Sequence, residues 1–222
     1  MKMKLFERSN CIPDLDLQTE TIDGERFYVI PGGQKYRSVT SVLQKLSAVS
    51  IAKWRNRIGH EQAAKITRQA STRGTKLHSL AEKYLLGTQV DPTTLLPTTI
   101  DLFQSIKPII DEHISVVHGI EFPLFSHYLR TAGRCDLFCD FKGINTIVDF
   151  KSSSKRKQEQ WIESYFIQCS TYAMIIEERY NINVPQLAVI IAVENDQPQL
   201  FVKRTADYKN SVVKIFTGIY NQ

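Results

Sequence analysis

The sequence predicts an α/β protein: a central mixed β-sheet flanked by helices, with a helical elaboration at the N-terminal end. Three observations predict it. Residues 146–151 (TIVDFK) and 187–193 (LAVIIAV) are short, rich in β-branched residues and largely apolar, the pattern of strands covered on both faces. The segment between them, 158–180, repeats apolar residues at helical spacing. Helix-like and strand-like segments then alternate through the rest of the chain, which builds a sheet with helices packed on it.

The elements follow in order. Residues 26–30 (RFYVI) and 35–39 (KYRSV) are β-rich and flank Pro31, Gly32 and Gly33, a hairpin signal. Thr40 reads as the N-cap of a short helix carrying Val42, Leu43 and Leu46. Residues 51–70 contain good helix formers and place Ile51, Trp54, Ile58 and Ile66 among them, with Gly59 as a weak point. Gly74 is expected to reset the chain, so that 75–86 forms a further helix ending at Gly87. A loop at 91–97 leads into a third helix over 98–115, and 116–129 is extended. Residues 133–141 (GRCDLFCDF) read as a strand, joined by a turn with Gly143 and Asn145 to the strand 146–151. The helix over 158–180 carries an apolar stripe of Trp161, Tyr165, Ile167, Tyr172 and Ile175 or Ile176. Strand 187–193 is buried, 200–204 is its edge partner, and 208–219 closes the chain as a helix. The division expected is an N-terminal hairpin and helical elaboration over 1–72 and a core over 73–222, forming one compact unit. There is no internal repeat and no low-complexity tract.

Composition narrows the class. The chain has 222 residues, 42% hydrophobic and 23% charged, which suits one domain with a substantial core. No run of about 18 uncharged apolar residues exists, which excludes a membrane-spanning helix. The N-terminal MKMKLFERSNCIPDL has lysines but no apolar run after them, unlike a secretory signal. The expected location is the cytoplasm (a host's, for a viral protein) or the nucleoid, with the mitochondrial matrix as the alternative. Cys11, Cys135, Cys139 and Cys169 form no CxxC pair and read as buried free thiols, with Cys135 and Cys139 on one strand face. That scatter argues against an iron–sulfur cluster. The formal net charge of +5 is compatible with a polyanionic partner without requiring one. The cations gather in two places: KSSSKRK over 151–157, and Lys53, Arg55, Arg57, Lys65, Arg68 and Arg73.

Asp136 lies in one predicted strand and Asp149 in the next, and the turn between them makes the pair an antiparallel hairpin. Asp149 and Lys151 are two apart and leave the same face. Charges in so apolar a strand are costly unless paired or bound to a metal. Two carboxylates suit a hard divalent cation, which polarises a phosphate and lowers the pKa of a bound water. A lysine beside them can orient that water and stabilise developing negative charge. The set therefore fits phosphodiester hydrolysis, and it equally fits a structural Asp–Lys ion pair with Asp136 on the surface of the hairpin. His78 and Glu82 share one helical face, and an imidazole there reads either as a further metal ligand or as a satisfied structural residue.

Together these segments resemble a known group. GRCD ending at Asp136, IVDFK ending at Lys151 and followed by two serines, and Gln168 four residues before Tyr172 resemble the RecB-like branch of the PD-(D/E)XK nucleases. RGTKLH ending at His78 resembles that branch's helical GxxxH motif, and KYRSVTSVL the segment preceding it. Within the branch the likeness is to the group of mitochondrial genome maintenance exonucleases and phage-type exonucleases, and it spans about residues 36–172. The resemblance implies a restriction-endonuclease-like core. It implies a metal-dependent DNA exonuclease acting on single strands or free ends in replication, recombination or repair. Mg2+ would be the cofactor, with Mn2+ able to substitute. His78, Asp136, Asp149 and the Phe150 carbonyl would bind metal, and Lys151 would be the catalytic lysine. Gln168 and Tyr172 would shape the site or contact substrate. Glu82 has no assured counterpart and reads as a surface residue; Glu121 reads as structural. Members that carry an iron–sulfur cluster have a cysteine group after the final helix, and this chain has none. An endonuclease with the same core and a catalytically inactive nucleic-acid-binding module are the alternatives. Oligomeric state stays open.

Further contacts to DNA follow from charge. Lys155 and its neighbours in KSSSKRK lie after the lysine-bearing strand, along a phosphate track or in a solvated loop. Ser152 and Ser153 can bond phosphate or cap the next helix. Trp54, among Lys53, Arg55 and Arg57, reads as a base-stacking residue or as core. Arg73, shortly before His78, is a candidate phosphate contact.

Overall fold

The computed structural model describes residues 4–218. The chain opens with β1 (Glu7–Arg8) and a three-stranded meander, β2 (Gln18–Ile22), β3 (Glu25–Val29) and β4 (Lys35–Ser38). Asp23 and Gly24, both left-handed at φ 51° and 78°, turn β2 into β3, the geometry a two-residue hairpin requires. The expected hairpin around Gly32 and Gly33 is present as β3–β4. β2 was not anticipated: all five of its residues are exposed, so it carries no apolar alternation.

Ser38, not Thr40, caps α1 (Val39–Ile58), its hydroxyl accepting from the Ser41 amide at 3.0 Å. Gly59, at φ 88° and ψ 145°, ends α1 and starts α2 (His60–Leu85). Gly74 does not break the chain; α2 runs straight through it, and the 72/73 division falls inside one helix. A mid-helix glycine costs about 1 kcal/mol. Burial of Leu77, Leu80, Ala81, Tyr84 and Leu85 against the sheet outweighs that.

The remaining elements are α3 (Pro97–His113), β5 (Ile114–Ser126), β6 (Thr131–Phe141), β7 (Ile144–Ser153), α4 (Glu163–Tyr180), β8 (Gln186–Val193), β9 (Gln199–Arg204) and α5 (Lys209–Gly218). The predicted helix end at residue 219 lies outside the described residues. The strands form one mixed sheet in the order β2-β3-β4-β6-β7-β8-β9, with β5 on β6 and β1 on β5. The pairs β1/β5, β4/β6 and β7/β8 are parallel, the others antiparallel.

Alternation along β7 and β8 divides the core. Val148, Phe150, Ala188 and Ile190 pack with residues of α2 and α3 on one face. Ile147, Val189 and Ile191 pack with α4, α5 and the start of α1 on the other. Trp161 is not part of the α4 stripe: the α-helix begins at Glu163, and Trp161 stands 60% exposed in the 3-10 turn before it. Cys11 is exposed, whereas Cys135, Cys139 and Cys169 are buried. Cys135 and Cys139 join different halves of the core, so strict alternation fails along β6. No described helix is long and apolar enough to cross a membrane.

The site depends on a fork in the sheet. One edge of β6 carries β5 along nearly its whole length. The other edge carries β7 at residues 137–141 and β4 at 131–132. Among the described residues no strand pairs with 133–136 on that edge. Tyr172 of α4 packs into part of this gap, so close that a Cβ on Gly133 would sit 2.7 Å from its hydroxyl oxygen. Asp136 lies at the point where β6 and β7 part.

Candidate metal centre

Where the ladder between β6 and β7 ends, side chains replace backbone partners. Asp136 Oδ2 accepts the amide of Phe150 at 3.0 Å, which fixes the carboxylate at the mouth of the fork. His78 comes down from α2: its Nδ1 is 3.3 Å from the same Asp136 oxygen and 3.7 Å from Glu121 Oε1. The imidazole is flanked on its helix by buried Leu77 and keeps 27% of its side chain exposed, so it sits at the boundary of core and solvent.

Glu121 owes its position to the backbone. It falls between the registered pairs Ile120–Leu137 and Phe122–Cys135, opposite Asp136. Its φ is 46°, a left-handed conformation costly for a residue with a Cβ. The Arg134 guanidinium donates to its carbonyl and holds the twist. An irregularity in β5 between Val117 and Gly119 precedes it, and Gly119 is needed there because a Cβ would meet the Phe122 ring at 2.7 Å. Donor atoms of His78, Glu121 and Asp136 all lie within 4.8 Å of one another.

From the α4 side, Gln168 donates to Asp149 Oδ1 at 3.0 Å. Asp149 Oδ2 forms an ion pair with the Lys151 ammonium, and the ammonium lies 5.2 Å from the centre of the Tyr165 ring. Asp149 is 3% exposed. Its oxygens are thus engaged by Gln168 and Lys151, while the three converging donors come from the strand fork and α2.

The electrostatics follow from burial of like and unlike charges together. Burial alone would lower the His78 pKa, but the carboxylates of Asp136 and Glu121 outweigh it and hold the imidazole at about 9. Burial pushes the Asp149 carboxyl up, against the pull of Lys151 and with the repulsion of Asp136. Burial would neutralise Lys151, yet Asp149 and Asp136 overcome it and keep the amine protonated above the ordinary lysine range. Two acids plus a third across the fork, facing one imidazole and one ammonium, make a site that a divalent cation would relieve. One nitrogen and several carboxylate oxygens are a donor set that fits such an ion.

No known protein family matches the chain, and no curated protein sequence matches it. Among solved structures it is similar to a "putative exonuclease" from Eubacterium rectale, at a TM-score of 0.40 and 14% identity, over 67% of this chain and 68% of that one. It is also similar to the protein SSO0001, at a TM-score of 0.37 and 11% identity, over 78% of this chain and 71% of that one.

The other residues singled out from sequence are placed as follows. Phe150 puts its ring in the α2/α3 half of the core and its amide on Asp136. Tyr172 is 2% exposed and packs inside the fork against Gly133, where it shapes the site from within. Arg73 is largely spent on the protein: it donates to Ser152 at 3.2 Å and pairs with Glu194 at 3.0 Å, tying α2 to the ends of β7 and β8. Ser153 is buried and closes a local turn by donating to the Lys155 carbonyl at 2.6 Å. Lys155 itself is exposed, and Trp54 is half-buried on the outer part of α1, away from the main core clusters. Glu82 is half-buried rather than a plain surface residue, and lines an open cleft with Gly74, Thr75, His78, Ser79 and Glu121. Glu121 is the residue that sequence reasoning set aside. Its one signal was a lone acid inside the extended run GIEFPLF.

Proposed function

We propose that this chain is a metal-dependent nuclease that hydrolyses phosphodiester bonds in DNA, acting as an exonuclease on single strands or free ends during replication, recombination or repair. The observation that supports it most is the meeting of His78, Glu121 and Asp136 beside the Asp149–Lys151 pair at the fork of the sheet. His78, Asp136 and Glu121 would hold the cation, with Asp149 and the Phe150 carbonyl as the further ligands the family resemblance implies. Mg2+ fits the carboxylates, and the imidazole makes Mn2+ an effective substitute. Bound there, the ion would polarise a phosphate oxygen and supply a water of lowered pKa.

The chain's own residues do the rest. Lys151, held as an ammonium, donates hydrogen bonds to the attacking water and to the phosphate as charge develops. Gln168 locks the rotamer of Asp149, and Asp149 in turn aims the ammonium. The Phe150 amide prevents Asp136 from turning away. The cleft along Gly74, Thr75 and Glu82 leaves the imidazole side open to a polymer.

The test uses end-labelled single- and double-stranded oligonucleotides and a closed circle, with Mg2+, with Mn2+ and with EDTA. Linear DNA should be degraded from its ends only with a divalent ion, the circle should survive, and Lys151→Ala should abolish the reaction. Loss of the circle at the same rate would make the enzyme an endonuclease. Undiminished cutting by Lys151→Ala, or none with either ion, would overturn the reading.

A further inference from the structure

The outer part of α1 and the first half of α2 form an arm that the core does not need. Between residues 44 and 72 only Ala63 is buried. The arm is strongly cationic: Lys53, Arg55, Arg57, Lys65 and Arg68 face a single acid, Glu61, whereas the whole chain has an excess of only +5. All five cations are exposed. Among the described residues none of their charged side-chain groups has a hydrogen-bond or ion-pair partner, in contrast to Arg37, Lys45, Arg73 and Lys151, which are paired. With no counter-charge beside them, their field is directed outward.

A groove runs between the two helices of the arm. Arg55 lines it from α1, and His60, Thr67, Arg68, Ser71 and Thr72 line it from α2. No acid lines it. Guanidinium groups and hydroxyls are the donors that bond phosphate oxygens without reading sequence. The floor of the groove is the same continuous helix that carries His78. Ten residues separate Arg68 from His78, about 15 Å along an α-helix. The groove is therefore held at a set distance from the metal centre by a rigid element.

We propose that this arm grips the sugar-phosphate backbone of single-stranded DNA, with Arg55 and Arg68 on successive phosphates, several nucleotides away from the bond at the metal centre. The inference deepens the nuclease reading and rests on it for the identity of the polyanion. The grip is independent of base sequence, and its strength falls with salt.

Binding of a labelled 30-nucleotide oligothymidylate to the full chain, followed by fluorescence anisotropy in EDTA, separates the grip from the chemistry. The variants are the double reversal Arg55→Glu/Arg68→Glu and, as a control with the same change in net charge, the double reversal Lys83→Glu/Lys214→Glu at exposed positions outside the arm. The arm reversal should weaken binding at least tenfold. It should also flatten the dependence of log K on log salt by about 1.4, two contacts at roughly 0.7 each. The control reversal should do much less. Parent-like affinity in the arm reversal, an equal loss in the control reversal, or no binding by the parent would each overturn the proposal. A parent that binds in this way but cuts nothing with Mg2+ or Mn2+ would leave the arm standing and remove the nuclease reading. An active enzyme indifferent to the arm reversal would do the opposite.

Discussion

His78 Nδ1 and Asp136 Oδ2 lie 3.3 Å apart, although the helix that carries one and the strand that carries the other are separate elements far apart in the chain. They meet because β7 leaves β6 before residue 136 and β4 has not yet taken its place. A continuous ladder would have turned this carboxylate into an ordinary strand side chain. The fork lets it accept a backbone amide from one neighbour and face an imidazole from another.

That pair sets a pH dependence. The His78 pKa is raised in the folded protein from 6.5 to about 9; burial opposes the shift, and Asp136 and Glu121 drive it. A raised folded-state pKa stabilises the metal-free protein fully below about pH 6.5, and the contribution is lost as pH rises through about 9. His78→Ala should therefore narrow its stability deficit between those limits, as read by urea denaturation at each pH. NMR of the metal-free protein should show the His78 ring titrating near 9. Mn2+ affinity should rise over the same interval, since the ring must lose its proton to bind. A ring titrating at 6.5 would remove the pairing.

Glu121 offers a test that separates strain from function. Its left-handed backbone suits glycine. Above about pH 9, where His78 is neutral and no longer draws on the Glu121 carboxylate, Glu121→Gly should leave the metal-free fold as stable or up to about 1 kcal/mol more stable. The same change should weaken Mn2+ binding by tenfold or more in calorimetry. Unchanged affinity would show that the carboxylate is no ligand.

Asp149 and Lys151 distinguish a working site from a structural ion pair. Asp149→Asn keeps the shape and the Gln168 contact but strands the ammonium. Breaking such a buried pair costs about 3 kcal/mol, less here because Lys151 keeps 22% of its side chain exposed. The double change Asp149→Asn/Lys151→Met should recover most of that stability and none of the DNA cleavage. Melting temperature and an end-label assay on the same samples read both. Cleavage that returns with stability would assign the pair a purely structural role.

Much of this arrangement was legible residue by residue. The period-two pattern of TIVDFK puts Asp149 and Lys151 on one face, and the structure pairs them. The apolar run at 187–193 became β8, buried throughout from Leu187 to Val193. Two readings failed, at Gly74 and Trp161, where the fold overrode local preference. Gly74 looked like a break but lies in a helix anchored by five buried residues downstream. Trp161 fitted the apolar stripe of α4, yet the helix starts two residues later. Tyr172, read as shaping the site or contacting substrate, packs inside the fork against Gly133.

The sequence by itself determined the α/β class, the hairpin that carries Asp136 and Asp149, the lysine beside them and the concentration of charge between residues 53 and 73. Each of these depends on spacing along the chain, within one element or between neighbouring ones, which local backbone geometry converts directly into structure. Only the tertiary structure decided that the sheet forks at residues 133–136, that Glu121 twists into the centre, and that Arg73 staples the frame while Arg55 and Arg68 stay unpaired. Those depend on which strand ends pair and where they stop. Such pairing is set by packing across the whole core, and no local pattern of residues records it.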